Sequence, residues 1–484
     1  MSAADAAGPT AWPRTDPSPA DRAAYADAVP RPFWLDRRPA PRSWPPLEGA
    51  ADAELCIVGG GFTGLWAAIH AKARVPSRTV VLVEADRIGS GASGRNGGFV
   101  SASITHGIGN GLARFPDEVA ALERLGLANF EAMRSDIERL GIDCDLETAG
   151  ENDVAGEPHQ VEALAEEAEL LARYGHETEL LDRDGIRAEV ASPTYLAGLW
   201  NRTGAALVDP AKLADGLAAV AAELGVEIYE GTRVESLPRP GAGPLRLATT
   251  GAGEIRAGRI LLATNAFPPL RRKLRRYIVP VYDYVLVSEP LTGEQLGEIG
   301  WRNRQGISDT GNRFHYYRLT DDNRILWGGY EAVYRYGGPV HARHDVDEET
   351  FATLSQHFFA TFPQLRGIRF THKWGGAIDT SSRFSCFFDR SHDGRVAFVG
   401  GYTGLGVGAS RFGAEVALDL VDGRRTEATE LAYVRSKPVP FPPEPLRWAV
   451  VQLTRNRLAA ADRNGGRRGL WLRALDRLGL GFDS

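Results

Sequence analysis

Hydrophobic and polar positions follow two different patterns along this chain. Short apolar runs have the length and composition of buried strands, and they lie at residues 54–58, 79–83, 259–264 and 395–399. Longer segments repeat apolar residues every three or four positions, as amphipathic helices do, and they lie at 115–140, 157–174, 211–224 and 409–421. The strand, helix and strand between residues 54 and 83 predict a βαβ unit, the start of an α/β domain.

Residues 277–334 are rich in alternating β-type sequence instead. The runs 314–319 and 325–329 flank the turn sequence Asp321-Asp322-Asn323, which predicts a β-hairpin. We therefore expect two domains, one α/β and Rossmann-like, the other α+β with a mostly antiparallel sheet.

The N-terminal segment has a composition of its own. Residues 1–50 hold ten of the 29 prolines and show no periodic apolar pattern. This composition predicts an extended arm with one short helix near 20–28. The aromatic side chains of Phe33, Trp34 and Trp44 are candidates for holding the arm against the body.

The C-terminal tail, residues 436–484, begins rich in proline and carries two predicted helices. Eight arginines lie between residues 447 and 477, among apolar side chains. Such helices pack on the body of their own chain or lie on an anionic membrane surface. We favour packing on the body, and membrane-surface contact is the alternative.

Composition narrows the function classes. The chain of 484 residues has a net charge of −6, which argues against a nucleic-acid binder because such proteins are basic. No apolar run reaches the roughly 18 residues that span a bilayer, and the first 30 residues resemble no secretory signal. Cys56, Cys144 and Cys386 lie far apart and suggest neither a disulfide framework nor a metal site, so we expect a cytoplasmic protein.

Glycine is unusually abundant, with 55 residues, and fourteen of them fall in the segments 59–64, 89–98 and 400–408. The first segment reads Gly59-x-Gly61-x-x-Gly64, follows a strand and opens a helix, and Glu84 ends the next strand twenty positions later. In this dinucleotide-binding pattern the glycines make a tight turn, admit a pyrophosphate and let helix and strand pack closely. A glycine-rich turn without a ligand is the alternative.

A second Gly-rich segment, residues 88–98, follows Glu84 closely. It holds Ser90, Ser93, Arg95 and Asn96 between five glycines. These residue types suit a loop laid along a pyrophosphate and the edge of a ring, which a simple nicotinamide site does not require. An exposed flexible loop is the alternative for this segment.

With these motifs the chain resembles the D-amino-acid oxidase-like FAD-dependent oxidoreductases, which include glycine oxidase and sarcosine oxidase, and is most similar to the γ-glutamylputrescine oxidase-like branch. The resemblance covers about residues 52–435. It rests on motifs at 58–64, 91–98, Asp209-Pro210, 232–234, 262–266 and 400–406.

The resemblance implies an FAD-binding domain assembled from residues 51–140, 205–270 and 365–435. Residues 141–204 and 271–364 would form the substrate domain. The cofactor would be non-covalent FAD, with its pyrophosphate on the first glycine loop and its ribose at Glu84. The residues that the resemblance places against FAD are Gly59, Gly61, Phe62, Thr63, Gly64, Glu84, Ala92, Ser93, Arg95, Asn96, Gly97, Gly98, Val234, Ala263, Thr264, Gly401, Tyr402, Thr403, Gly404, Leu405 and Gly406.

The chain departs from the family pattern at two places. Leu405 stands where relatives often carry histidine in the last glycine loop. Sarcosine oxidase-like members attach their flavin through a cysteine near the segment matching 372–376, and this chain has none there. The first departure bears on substrate and oxygen reactivity, and the second is why FAD is expected to be non-covalent.

The implied reaction is hydride transfer from the C–H next to an amine nitrogen to the flavin, giving an imine that hydrolyses. The substrate would be a small amine or amino acid, and O₂ or another acceptor would take the electrons. Candidates for orienting the substrate are His315, Tyr317, Arg318 and Trp374, with Tyr316, Tyr282, Tyr284 and Arg335 beside them. Along a strand, Tyr316 and Arg318 share one face and His315 and Tyr317 the other.

Two other functions stay open at this point. An NAD(P)-linked dehydrogenase could use the same fingerprint, although the second and third glycine loops argue against it. A non-catalytic flavoprotein or partner-binding module is the other, because Leu405 replaces a polar residue near the expected flavin.

Overall fold

The computed structural model describes residues 12–13, 15–38, 42–241 and 243–481. The strands are β1 (Ala50–Val58), β2 (Val80–Val83), β3 (Phe99–Ser101), β4 (Glu151–Ala155), β5 (Thr178–Leu181), β6 (Ala197–Asn201), β7 (Ala205–Leu207), β8 (Glu227–Tyr229), β9 (Leu245–Ala248), β10 (Glu254–Leu262), β11 (Val279–Ser288), β12 (Gly306–Asp309), β13 (His315–Leu319), β14 (Ile325–Gly329), β15 (Val333–Tyr334), β16 (Phe370–Thr380), β17 (Phe387–Ser391) and β18 (Val396–Gly400). The α-helices are α1 (Pro19–Ala24), α2 (Phe33–Asp36), α3 (Phe62–Arg74), α4 (Ile108–Arg114), α5 (Val119–Arg139), α6 (Pro158–Arg173), α7 (Arg183–Glu189), α8 (Pro210–Glu223), α9 (Gly293–Ile299), α10 (Glu348–Thr361), α11 (Gly406–Asp422), α12 (Glu427–Glu430), α13 (Ala432–Arg435), α14 (Leu446–Asp462) and α15 (Leu470–Arg477).

The first sheet has the strand order β17-β18-β10-β1-β2-β8, with β9 also paired to β10. Strands β18, β10, β1, β2 and β8 run parallel, while β9 and β17 pair antiparallel. Leu55 and Ile57 of β1 face the apolar cluster that includes helices α3, α8 and α11, and Cys56 and Val58 face the opposite cluster. Both faces are buried over residues 55–58, the C-terminal half of β1, which explains why that half is a continuous apolar run.

The second sheet has the order β15-β11-β14-β13-β12-β4-β6-β5, and β16 pairs with the opposite edge of β11. Its pairs are antiparallel except β12 with β4. The predicted hairpin is formed by β13 and β14, with Tyr317 opposite Trp327. Helix α10 packs Phe351 and Phe358 into the same apolar cluster. The predicted fold class, a Rossmann-like α/β part and a mostly antiparallel α+β part, is therefore confirmed.

Two segments differ from their predicted places. The proposed boundary at residue 365 puts residues 370–380 with the FAD-binding segments, but β16 pairs with β11 along its length in the antiparallel sheet. The motif at residues 232–234 has the apolar alternation of a strand, yet only Val234 makes an isolated bridge, with Thr249. The backbone N–H of Thr232 donates instead to the carbonyl of Glu84, 2.8 Å away, so this segment continues as a loop beside the end of β2.

The described part of the N-terminal arm packs on the body. Helix α1 contacts α10, and the backbone of Val29 bonds to Thr371 at 2.8 Å and to Lys373 at 3.0 Å. Phe33 and Trp34 are buried. The arm therefore extends the edge of the antiparallel sheet, at β16.

The tail also packs on the body, through α14 and α15. Asp462 accepts hydrogen bonds from Asn312, and Leu472 is buried. In the part of the chain that the structure describes, no helix is long and apolar enough to cross a membrane.

Candidate functional site

A cavity of about 1110 Å³ lies where the parallel strands β1, β2 and β10 reach their carboxyl ends. Ligands of open α/β sheets bind at this edge. The antiparallel sheet supplies the facing wall, with residues of β11, β13 and β16. The volume exceeds that of most single small-molecule pockets, so a large cofactor and a substrate can share it.

The first glycine loop leaves no room for side chains. Gly59 has a φ of +116°, and a Cβ there would overlap the carbonyl oxygen of Ala263. A Cβ at Gly64 would overlap the carbonyl oxygen of Gly59, so helix α3 can approach β1 only with glycine at this position. Gly61 ends the loop in an extended conformation and directs the N-terminus of α3 at the cavity. The backbone N–H groups at this terminus suit a pyrophosphate.

Glu84 lies at the end of β2, on the cavity wall. Its carboxylate accepts hydrogen bonds from the backbone N–H of Gly60 at 2.7 Å and of Asp86 at 2.9 Å. Burial raises the pKa of this carboxyl group. The two backbone contacts hold the carboxylate where it can accept hydrogen bonds from ribose hydroxyls, the role that the resemblance implied.

The second glycine loop is shaped by its own side chains. Asn96 donates to the carbonyls of Ala92 and Ser93, both at 3.0 Å, and its side-chain oxygen accepts from the N–H of Gly98 at 2.8 Å. The Ser93 hydroxyl accepts from the N–H of Phe62 at 3.0 Å, which ties this loop to the start of α3. The polar residues of the motif therefore fix the backbone that lines the cavity.

Two tryptophans from distant segments hold consecutive carbonyls of this loop. Trp34 of α2 donates its indole N–H to the carbonyl of Asn96 at 2.9 Å. Trp374 of β16 donates to the carbonyl of Arg95, also at 2.9 Å. Both indoles are buried. The N-terminal arm and the antiparallel sheet therefore both brace the predicted flavin loop.

We expect Trp34→Phe and Trp374→Phe each to weaken FAD binding by roughly fivefold, because each leaves one loop carbonyl without its donor. Fluorescence titration of the flavin-free protein with FAD would measure this loss. Trp448→Phe is the matched control, since Trp448 is 43% exposed. If Trp374→Phe instead raised the substrate KM at unchanged FAD affinity, Trp374 would orient the substrate as the sequence suggested.

The third glycine loop is held by a buried carboxyl group. Asp379 of β16 accepts from the N–H of Gly401 at 2.5 Å, and burial raises the pKa of Asp379 to about 7. The hydroxyl of Thr403 accepts from the N–H of Ser381 at 3.1 Å. The loop then passes Leu405, whose side chain lines the cavity, into the N-terminus of α11.

The residues present fit the predicted cofactor. Three glycine loops, two helix N-termini and Glu84 surround one cavity, and they offer the backbone donors and the ribose acceptor that FAD needs. Of the expected cofactor residues, Gly64, Gly98 and Gly401 lie behind the lining, and the others line the cavity. Lining residues that the sequence reasoning missed include Phe99, Phe267 and Ser410.

Of the eight residues proposed from sequence to orient a substrate, Tyr282 and Tyr316 line the cavity, and the other six do not: Tyr284, His315, Tyr317, Arg318, Arg335 and Trp374. His315 contacts Asp309 at 2.7 Å, and Tyr317 bonds to Tyr195 at 2.7 Å. Arg318 donates to the carbonyl of Val208 at 2.7 Å. Trp374 holds the flavin loop as described above. The side chains of His315, Tyr317, Arg318 and Trp374 bond to other groups of the protein. A direct role for them in binding the substrate therefore stays a prediction.

Tyr316, on the opposite face of β13 from His315, does line the cavity. Its ring lies against Gly97 and Phe99, and its hydroxyl donates to Asp283. Asp283 also lines the cavity, and burial raises its pKa to about 6. This tyrosine–carboxyl pair lies in the cavity wall beside the second glycine loop, so it is a polar group that a substrate in the cavity could meet.

Comparison with known proteins gives consistent matches. The family model described as "DAO: FAD dependent oxidoreductase" matches residues 54–420. The chain is 32% identical over 402 residues to Gamma-glutamylputrescine oxidoreductase of Escherichia coli (strain K12), covering 81% of this chain and 89% of that protein.

Solved structures show the same fold. Glycine oxidase from Geobacillus kaustophilus superposes with a TM-score of 0.66 at 20% identity, covering 80% of this chain and 99% of that one. L-proline dehydrogenase from P. horikoshii superposes with a TM-score of 0.64 at 19% identity, covering 79% and 96%.

Proposed function

This chain belongs to the DAO family of FAD-dependent oxidoreductases, and from that premise we propose that it oxidises a C–N bond of an amine or amino acid. The observation that carries the proposal is the single cavity shared by the three glycine loops and by the Tyr316–Asp283 pair. The names of similar proteins, Gamma-glutamylputrescine oxidoreductase, glycine oxidase and L-proline dehydrogenase, support this substrate class.

Bound FAD would supply the acceptor for a hydride from the substrate carbon next to nitrogen. The protein's part is to bind the amine, orient it and exclude water. Asp283, with its pKa raised to about 6, can be largely ionised at neutral pH and can accept a hydrogen bond from Tyr316. Together they place a carboxylate and a hydroxyl in the cavity wall, where an amine nitrogen would be held.

Further features support non-covalent FAD in a reducing compartment. Cys56, Cys144 and Cys386 are all buried and free, and none of them lines the cavity. Burial raises the pKa of each thiol, which opposes the thiolate needed for attachment or disulfide exchange. We therefore propose that the protein is cytoplasmic. The electron acceptor would be O₂ or a carrier.

Spectroscopy of the purified protein tests the proposal. We expect two flavin absorbance bands at about 370–460 nm, and bleaching when a panel of amines and amino acids is added without oxygen. Acid denaturation should release FAD into the supernatant. Recovery of the bands on adding air, with hydrogen peroxide formed, would identify O₂ as acceptor. A coloured protein that no compound bleaches would contradict amine oxidation and favour a non-catalytic flavoprotein.

A further inference from the structure

The C-terminal segment, residues 437–481, forms a wall of the same cavity. It lies beyond residue 420, where the family match ends. Side chains of α14 and α15 line the cavity, among them Val451, Leu458, Leu472 and Leu475. This wall therefore lies outside the part of the chain that the family model matches.

Several contacts hold the tail against other elements around the cavity. Arg455 of α14 pairs with Glu331, 2.7 Å away, in the loop after β14. The carbonyl of Val439 accepts from the hydroxyl of Ser382, and the carbonyl of Gly481 accepts from Arg114 at 2.7 Å. The tail thus contacts the loop after β14, the loop after β16 and helix α4.

The charged groups of this compartment already have partners. Glu331 pairs with Arg313 at 2.9 Å as well as with Arg455, and Arg313 lies 3.9 Å from Asp462. Arg468 pairs with Asp476 at 2.8 Å. Two cations and two anions balance in the first group and one of each in the second, so the charged side chains that the tail places at this wall, Arg455 and Arg468, are both ion-paired.

We propose that the tail wall binds the non-reacting part of the substrate, and that this part is an apolar chain or ring. This inference rests on the proposed amine oxidation and specifies its substrate as an amine with a hydrophobic body. A compartment whose charged side chains are already paired, and whose wall also holds leucines and valines, gains affinity from buried methylene groups and disfavours a second charged group, since burying an unpaired charge is unfavourable.

Chain-length series on the FAD-loaded, full-length protein test the inference. We expect kcat/KM for flavin reduction to rise roughly threefold to fourfold per methylene from ethylamine to hexylamine. Binding of n-alkanamides, from propanamide to octanamide, should strengthen by a similar factor in isothermal titration calorimetry. These amides are neutral and lack an oxidisable amine, so they report the compartment without the reaction.

Leu475 and Leu470 offer a matched pair on α15, because Leu475 lines the cavity and Leu470 is 86% exposed. Leu475→Ala and the size-conserving Leu475→Gln should weaken octanamide binding by about tenfold and propanamide binding by less than about twofold. Leu470→Ala should change neither. Circular dichroism would confirm that each variant is folded.

The outcomes separate the inference from the proposed function. Binding and kcat/KM that do not depend on chain length, or Leu475 variants that match Leu470→Ala, would overturn the apolar compartment while amine oxidation stands. If no amine bleaches the flavin but amide binding follows chain length and Leu475, the compartment stands and amine oxidation fails.

Discussion

Replacing Gly61 by valine should give a folded protein that no longer retains FAD. Among the described residues, the atoms within 4 Å of an added Cβ at this position belong to the Ser93 side chain, with its hydroxyl 2.8 Å away, and that side chain can rotate. The new side chain would instead occupy the cavity at the N-terminus of α3. A pyrophosphate kept away from this terminus loses charge-assisted hydrogen bonds, so we expect FAD affinity to fall about a hundredfold or more.

The absorbance of the purified variant and an FAD titration of the flavin-free form would measure this loss. Gly64→Val is the contrasting variant, because its side chain would overlap the backbone of Gly59 and should prevent folding itself. Gly297→Ala is the neutral control, since that helical glycine has open space around it. A Gly61→Val protein that binds FAD as tightly as the wild type would show that this loop does not hold the pyrophosphate.

The first glycine loop could be predicted from sequence because most of its geometry is local, although Gly59 also approaches the carbonyl of Ala263. Gly59, Gly61 and Gly64 act through the turn and helix start that they themselves form, and Glu84 ends the next strand of the same unit. A fixed spacing therefore encodes the geometry. The same holds for Asn96, whose side chain bonds within its own loop.

The substrate side depends on contacts that a linear pattern does not contain. Alternation along β13 paired Tyr316 with Arg318 on one face, but only the packing of α2 and of the loop at Val208 decides which of them reaches the cavity. Arg318 is directed into the protein and Tyr316 to the cavity. The contacts of the N-terminal arm and the C-terminal tail could not be predicted either. Trp34 bonds to Asn96 and Leu475 lines the cavity, and neither contact is visible in the residues next to them in sequence.

Changing Asp379 to asparagine should produce the second large effect, on the third glycine loop. The Asp379 carboxyl group accepts the backbone N–H of Gly401 and is further stabilised in its ionised form by those of Tyr402 and Thr403. An asparagine side chain has the same size, but its amide NH₂ would face some of these backbone N–H donors, which it cannot pair with. Because hydrogen bonds to a charged group contribute about 1.5–3 kcal/mol, we expect flavin reduction to slow roughly tenfold to a hundredfold above pH 7.

The pH dependence gives the prediction a second measurement. Burial raises the folded-state pKa of Asp379 to about 7, above the 3.8 of a free aspartate. Its contribution to stability is therefore fully present below about pH 4 and is lost as the pH rises through 7. Relative to Asp379→Asn, the thermal midpoint of the wild type should fall between about pH 4 and 7. The flavin-reduction rate of the wild type should rise with an apparent pKa near 7. The variant should lack this titration, and Asp393→Asn, at an exposed turn, should keep it. A wild-type profile that persists unchanged in Asp379→Asn would assign the titration to another group and remove Asp379 from control of the loop.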